Sequence, residues 1–243
     1  MLRKLIGIFA TLSLLQPVTA QTHFTTKCSQ FEHPEFQINV SSQAIPPVDI
    51  EWFLAVLENM VISGERFKAG ETIQVGWMLL MLAEGDKGAL KVTEPDMKSV
   101  PIKFIDSIDS TIKHLRAQKD SVESVLPADA LAFSSLTQSV VVHINYKKSK
   151  RILLDRAQAE GHDSGWWLSD LDDDKGSNDP NSFAKISLYQ LGVDRPDLIK
   201  FLAFPAGTQV VIDRKVFVLK DGQELAIKAN SFLDLLNRNQ ATQ

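Results

Sequence analysis

The sequence has few of the features that mark a specialised class of protein. Cys28 is its only cysteine, so the chain cannot form an internal disulfide. Acidic side chains outnumber basic ones by 30 to 26, which disfavours binding to nucleic acid or to anionic membrane surfaces. The 5 histidines lack the spacing of a zinc site, and no phosphate-binding glycine loop is present. With 44% hydrophobic residues, the chain has the composition of an ordinary globular protein.

The N-terminus has the pattern of a secretory signal peptide. Arg3 and Lys4 precede an apolar run over residues 5–15, and small residues lead up to Ala20. That run is too short to span a membrane, which takes roughly 20 apolar residues. We therefore expect residues 1–20 to be cleaved after Ala20 and the mature chain to be exported without membrane insertion. Loss of the two basic residues changes the formal charge from -4 to -6.

Hydrophobic periodicity predicts an α+β fold of mainly antiparallel sheets with packed amphipathic helices, in two small subdomains over residues 21–145 and 146–243. An apolar stripe over residues 105–125 predicts the clearest helix. Alternation predicts one long strand over residues 73–82, while residues 21–35 are expected to be a loosely ordered lead-in with a surface or half-buried Cys28. Other helices are predicted over residues 49–61, 196–203 and 232–236, and other strands over residues 36–40, 90–94, 101–105, 140–146, 152–154, 166–168, 209–212 and 216–219.

Residues 161–165 bring a histidine, an aspartate and a serine together between two glycines. The spacing around Ser164 differs from that of a nucleophile elbow, and a hydrolase would also need a separate base histidine. A tight turn, in which Gly165 frees the backbone and Asp163 or Ser164 hydrogen-bonds to it, is the better interpretation.

An acidic loop follows, with aspartates at alternate positions 170, 172 and 174. Asp170, Asp172 and Asp174 resemble the oxygen ligands of a calcium-binding EF-hand loop, but Lys175 stands where that loop requires glycine. The alternatives are a solvated acidic turn and, together with Asp173, a charged surface for a basic partner. Trp166 and Trp167 lie beside the loop, and in a strand one of the two should be buried.

The second half of the chain resembles the immunity protein 33-like domain family. The resemblance rests on Asp163-Ser164-Gly165-Trp166, the acidic loop, Asn178-Asp179-Pro180-Asn181, Ser187-Leu188-Tyr189, Pro196-Asp197-Leu198-Ile199 and Pro205-Ala206-Gly207-Thr208. The family is bacterial and is associated with toxin–immunity pairs. This chain departs from it in the Trp167-Leu168 that follows the first motif and in a longer acidic loop.

The resemblance implies an exported, periplasmic immunity protein and not an enzyme. Such a protein binds a cognate antibacterial effector from a competing cell's secretion system and occludes its active site. Export indicates an effector that acts in the envelope, such as a cell-wall or envelope hydrolase. No cofactor is implied, and calcium stays open. The candidate partner-binding residues are Asp163, Trp166, Trp167, Asp170, Asp172, Asp173 and Asp174.

Two other functions stay open. The main alternative is an exported binding module for a small ligand or a cell-wall fragment, stabilised by calcium, with a concave pocket beside the tryptophans. The other is an envelope hydrolase that uses Ser164.

Overall fold

Two β-sheets with helices packed against them organise the chain in the computed structural model, which describes residues 20–173, 176 and 179–240. The predicted α+β class with mostly antiparallel pairing is confirmed. The predicted signal peptide falls on residues 1–19, outside the described residues, and stays a prediction. Within the described ranges, no helix is both long enough and apolar enough to cross a membrane.

The first sheet has the strand order β1-β2-β5-β4-β3, with β6 paired to β5. All its pairs are antiparallel except β2 with β5. Its strands are β1 (Gln21–Phe24), β2 (Phe36–Val40), β3 (Thr72–Val75), β4 (Met78–Glu84), β5 (Leu90–Pro95) and β6 (Phe104–Ile105).

The long strand predicted over residues 73–82 is wrong, because the chain reverses in its middle. Val75 pairs with Met78, so Gly76 and Trp77 form a two-residue hairpin turn between β3 and β4. Gly76 has a φ of 58°, which suits the first position of such a turn. The hairpin turns Trp77 into the core, where it is fully buried.

The lead-in is ordered rather than loose. After β1, a 3₁₀ helix (Cys28–Phe31) is held by Glu35, whose carboxylate accepts the N–H groups of Cys28 and Ser29 and the hydroxyl of Thr25. Cys28 is 0% exposed, and burial raises the pKa of its thiol to about 11. It is therefore a core residue, contrary to the predicted surface or half-buried position.

Helices α1 (Pro47–Ile62) and α2 (Asp109–Glu123) belong to the first half of the chain. Both were predicted, but α2 begins at Asp109 rather than at residue 105. The buried Glu94 carboxylate accepts the N–H groups of Ser110 and Thr111 and caps the helix there.

The second sheet has the strand order β10-β7-β9-β8-β11-β12-β13, antiparallel throughout except for β7 with β9. Its strands are β7 (Ser139–His143), β8 (Ile152–Arg156), β9 (Asp163–Asp170), β10 (Phe183–Ser187), β11 (Thr208–Asp213), β12 (Lys215–Lys220) and β13 (Gln223–Glu224).

The helices of the second half differ in part from prediction. Helix α3 (Leu188–Asp194) was not predicted; the side chain of Ser187 caps it by accepting the N–H of Gln190. The helix predicted over residues 196–203 is a 3₁₀ helix (Pro196–Phe201), and α4 (Phe232–Gln240) is longer than predicted.

The two sheets share one core. The main chain of Leu136 donates to Trp77, Gln118 of α2 donates to the Ile199 carbonyl, and Tyr189 donates to the Asp96 carbonyl. These contacts join the two halves of the chain. The division into domains at residues 145 and 146 stays a prediction.

Candidate interaction surface

The two faces of the second sheet have different surroundings. Along β9, Trp166 and Leu168 point into the core, whereas Trp167 and Ser169 point away from it. Helices α3 and α4 pack against β7 and β12 of this sheet. We call the face that carries Trp167 the outer face.

Strand pairing gathers apolar side chains on the outer face, with the charged Asp155 opposite Trp167 among them. Trp167 lies opposite Val141, and the Trp167 ring lies 4.7 Å from the ring of Phe183 on β10. On the neighbouring strand β8, Leu153 lies opposite Val211, which in turn lies opposite Phe217. The apolar members of the outer face are Val141, Leu153, Trp167, Phe183, Val211 and Phe217.

Part of this apolar surface is open to solvent. Trp167 is 42% exposed and Phe217 is 38% exposed, although large apolar side chains on a sheet usually pack against something. Exposed aromatic residues at the centre of a patch are typical of protein–protein interfaces.

Ion pairs form a charged rim at both ends of the outer face. At one end Asp163 accepts from Lys185 at 2.8 Å, and this pairing lowers the pKa of the Asp163 carboxyl. At the other end Arg151 bridges Asp172 at 3.1 Å and Asp213 at 3.0 Å. An apolar centre with a charged rim is the usual arrangement of a protein-binding surface.

A β-bulge in β9 sets the register of Trp167 against β7. Ser139 pairs with Asp163, but Val141 pairs with Trp167, so β9 has two more residues than β7 over this stretch. Gly165 lies in the bulge with a φ of 75°, and a Cβ there would stand 2.3 Å from the Ala157 carbonyl oxygen. Within the segment 161–165 that was predicted to be a tight turn, residues 161 and 162 form a turn closed by the Glu160–Asp163 bridge, and Gly165 lies in the bulge that follows.

The predicted side-chain hydrogen bonds of this segment are present and hold the bulge. Asp163 accepts the N–H of Gly165, and Ser164 accepts the N–H of Trp166. The buried Ser164 hydroxyl donates to the Ser139 carbonyl at 2.6 Å. These bonds give Ser164 a structural role in the bulge.

Trp166 belongs to the interior of the sheet. It is 1% exposed, and the Arg156 guanidinium stacks on its ring at 5.2 Å. Arg156 donates to the carbonyls of Ala132 and Phe204 and to the Ser134 hydroxyl. Burial lowers the pKa of Arg156 to about 10. This cluster joins the sheet to the segments on either side of it.

The structure separates the candidate aspartates. Asp170 is buried at the end of β9 and accepts the N–H of Asp172, whereas Asp172 is exposed on the rim of the outer face. Asp173 accepts the N–H of Gly176 and lies 3.4 Å from Nε2 of His143. Asp163, Trp167 and Asp172 are thus on or beside the outer face. Asp174 lies outside the described residues.

The predicted calcium ligands have protein partners where they are described. Asp170 binds a backbone N–H and Asp172 binds Arg151. In the part of the chain that is described, no group of three or more acidic, histidine or cysteine side chains is placed to hold a metal ion. Calcium binding by a set that includes Asp174 stays a prediction.

Several outer-face residues were not predicted from the sequence. Leu153, Val211 and Phe217 each alternate with a buried residue in a strand that is apolar on both faces. Such a pattern normally indicates a strand buried on both sides. Phe183 was missed because no strand was predicted over the residues of β10. Apolar residues on both faces of neighbouring antiparallel strands would have been the signal for this surface.

Residues 117–221 match the family model of the Imm33-like domain. This segment starts within α2 and contains every strand that contributes to the outer face. The chain therefore contains an Imm33-like domain, and the predicted resemblance to this immunity-protein family is confirmed. No curated protein and no solved structure matches the chain.

Proposed function

We propose that this protein is an immunity protein that binds and neutralises a cognate antibacterial effector through the outer face. The observation that carries the proposal is the exposed Trp167 on that face, whose ring contacts the half-buried ring of Phe183, within the Imm33-like domain. Burying exposed apolar area contributes about 25 cal/mol per Å², so covering these aromatic rings favours association.

The proposal describes an inhibitor and not an enzyme. An inhibitor needs a preformed surface that covers the effector's active site, and a sheet face is rigid enough to do so. Tight inhibitor complexes bury roughly 1,600 Å² in total. The Ser164 hydroxyl, the one candidate nucleophile considered above, is engaged in the bulge.

The effector would be one that acts in the cell envelope. This part of the proposal rests on the signal peptide expected at residues 1–20, which would place the mature protein in the periplasm. There it would meet a cell-wall or envelope hydrolase delivered by the secretion system of a competing cell. The acidic balance of the chain would attract a basic cleft.

The first experiment is to purify residues 21–243 from a periplasmic extract of the native organism, grown so that its secretion systems are active. The proposal expects one secreted hydrolase in stoichiometric amount, whose activity is lost when the protein is added. The proposal would be contradicted if no protein were retained at nanomolar sensitivity, or if the retained hydrolase stayed fully active.

A second candidate function is the binding of a small apolar ligand. A pocket of about 340 Å³ lies between α1 and α2, beside the exposed Trp52 and Phe133. This volume is within the range of ligand sites. Native mass spectrometry of the protein purified from the periplasm tests it: this function expects a bound small molecule that Trp52→Ala loses and Trp167→Ala keeps.

A further inference from the structure

The two edges of the second sheet differ in whether their outward N–H and C=O groups are already bonded. At the β12 edge, the Asn237 side chain of α4 accepts the N–H of Val216 and donates to its carbonyl. Further along the same edge, the short strand β13 pairs with Leu219 and Lys220. Side-chain amides and short strands are ways to prevent another strand from adding to an edge. This edge is closed.

The opposite edge, β10, is open. The Ser182 carbonyl accepts the N–H of Ile144 and the N–H of Leu188 donates to Gln138, so the even-numbered residues of this segment are the ones bonded to β7. In an antiparallel pair the residues between them point their N–H and C=O groups away. Those residues are Phe183, Lys185 and Ser187. Among the described residues no strand lies beside them.

Most of these outward groups are free to pair with a further strand. The N–H of Phe183 is used by the preceding 3₁₀ turn, where it donates to the Pro180 carbonyl. The Lys185 backbone has no such local partner in its strand and presents both N–H and C=O. A protective edge lysine normally repels a strand by its charge, but the Lys185 ammonium lies 2.8 Å from the Asp163 carboxylate, which neutralises it.

The open edge is continuous with the outer face. Phe183 and Lys185 point their side chains to the same side of the sheet as Val141 and Trp167. A strand added beside β10 would therefore place every second side chain on the same face of the sheet as Phe183. Its main chain would extend the sheet, and its side chains would extend the apolar centre.

The charges at the two ends of β10 indicate the chemistry of the added strand. Asp179 lies just before β10 and is exposed, while Asp163 lies at the Ser187 end, because Ser139 pairs with both Ser187 and Asp163. Asp163 is already paired with Lys185, so Asp179 is the acid left to attract a cation. A fitting segment is apolar in its middle and basic at the end that passes Asp179.

We propose that the effector binds by strand addition: an extended effector segment, apolar in its middle and basic at one end, pairs with β10 (Phe183–Ser187). This inference rests on the proposed function and specifies how the effector is held. In this mode of recognition main-chain hydrogen bonds supply affinity, and the side-chain pockets beside the edge supply specificity.

Lys185→Pro tests the inference, with Lys185→Ala as the matched control. Both variants remove the ammonium, but only proline removes the outward N–H, and an outward-facing edge position tolerates proline. With the hydrolase recovered in the purification above, we expect Lys185→Pro to weaken binding about tenfold or more relative to Lys185→Ala, since 1.4 kcal/mol is tenfold. Equal affinities for the two variants would overturn strand addition.

Amide hydrogen exchange of the unaltered protein gives a second readout that does not depend on a folded variant. We expect the Lys185 amide to exchange at least about tenfold more slowly in the complex with the hydrolase. A hydrolase that is bound and inhibited without protection of Lys185 would overturn strand addition but leave the proposed function standing. Recovery of no hydrolase would overturn both. The protein on its own could instead form a dimer that Lys185→Pro converts to a monomer. That result would assign the β10 edge to a second copy of the chain and would also overturn the inference.

Discussion

At the scale of single residues, the adjacent Trp166 and Trp167 have opposite environments. Trp166 is buried under Arg156, and Trp167 is exposed beside Phe183. Strand alternation alone requires this division, but it does not say which of the two is buried. The face of β9 that packs into the core decides it, since Ser164, Trp166 and Leu168 are all buried.

The two tryptophans should therefore differ in their contribution to stability. We expect Trp166→Ala to lower the free energy of unfolding by about 3–5 kcal/mol, because it removes a buried ring and leaves a cavity. Trp167→Ala should lower it by less than about 1 kcal/mol. Urea unfolding followed by circular dichroism measures both. Similar losses for the two variants would contradict the assignment of the faces.

His114 should make stability depend on pH. Burial, with the nearby charge of Lys113 as a smaller cause, lowers the pKa of His114 from 6.5 to about 4 in the folded protein. Between these values the unfolded chain binds a proton that the folded chain does not, so stability falls as the pH falls from about 6.5 to about 4.

Unfolding midpoints measured in urea across this pH window check the effect of His114. The control is His114→Gln, in which the dependence between pH 6.5 and pH 4.5 should be reduced. An unchanged dependence in this variant would assign the effect to other groups.

At the scale of elements, the bulge in β9 sets the position of Trp167 along the outer face. Gly165→Ala would place a Cβ 2.3 Å from the Ala157 carbonyl oxygen in a backbone with a φ of 75°. We expect a loss of stability of about 2 kcal/mol or more, together with weaker effector binding as Trp167 moves.

Gly161→Ala is the matched control for the bulge. Gly161 also has a positive φ, of 56°, but nothing lies within 4 Å of its Cβ position. It therefore carries the backbone strain without the clash. Thermal unfolding measures both variants. Equal losses of stability would mean that the close approach at Gly165 adds nothing to the cost of the backbone strain.

Elements with an uninterrupted period were predictable from sequence, and elements that depend on one glycine were not. The periodicity of α1, α2 and the β11–β12 hairpin follows directly from their burial patterns. The β3–β4 turn was missed because Trp77 fits the apolar alternation of residues 73–81, although Gly76 and Trp77 form the turn at which the strand ends. The bulge was missed because it depends on the close approach of Gly165 to the main chain of Ala157, which lies on another part of the chain.

At the scale of the whole molecule, contacts between the two halves bear on the domain division. β7 lies between β10 and β9, so it completes the second sheet, yet it precedes the predicted boundary at residue 145. We expect residues 146–243 expressed alone to show no cooperative unfolding, because the sheet would be divided. Circular dichroism during heating tests this. A sharp transition in the fragment would support the division at residue 145.

The sequence resemblance located the domain but only part of the surface. Asp163, Trp167 and Asp172 were candidates, whereas Phe183 and Phe217 were not, because a surface made of six strands has no local sequence pattern. Its members become neighbours only through strand order. Register determines which side chains share a face, and register depends on turns and bulges.

The measurement that tests the central claim most directly is inhibition of the recovered hydrolase by three proteins: the unaltered chain, Trp167→Ala and Trp52→Ala. Trp52 is the matched control, since it is an exposed tryptophan, 48% against 42%, on α1 rather than on the outer face. If the outer face binds the effector, Trp167→Ala weakens inhibition about thirtyfold or more, the size of an interface hot spot, and Trp52→Ala leaves it unchanged. Full inhibition by Trp167→Ala, with loss in Trp52→Ala, would contradict the account and place the binding surface on the helices of the first half.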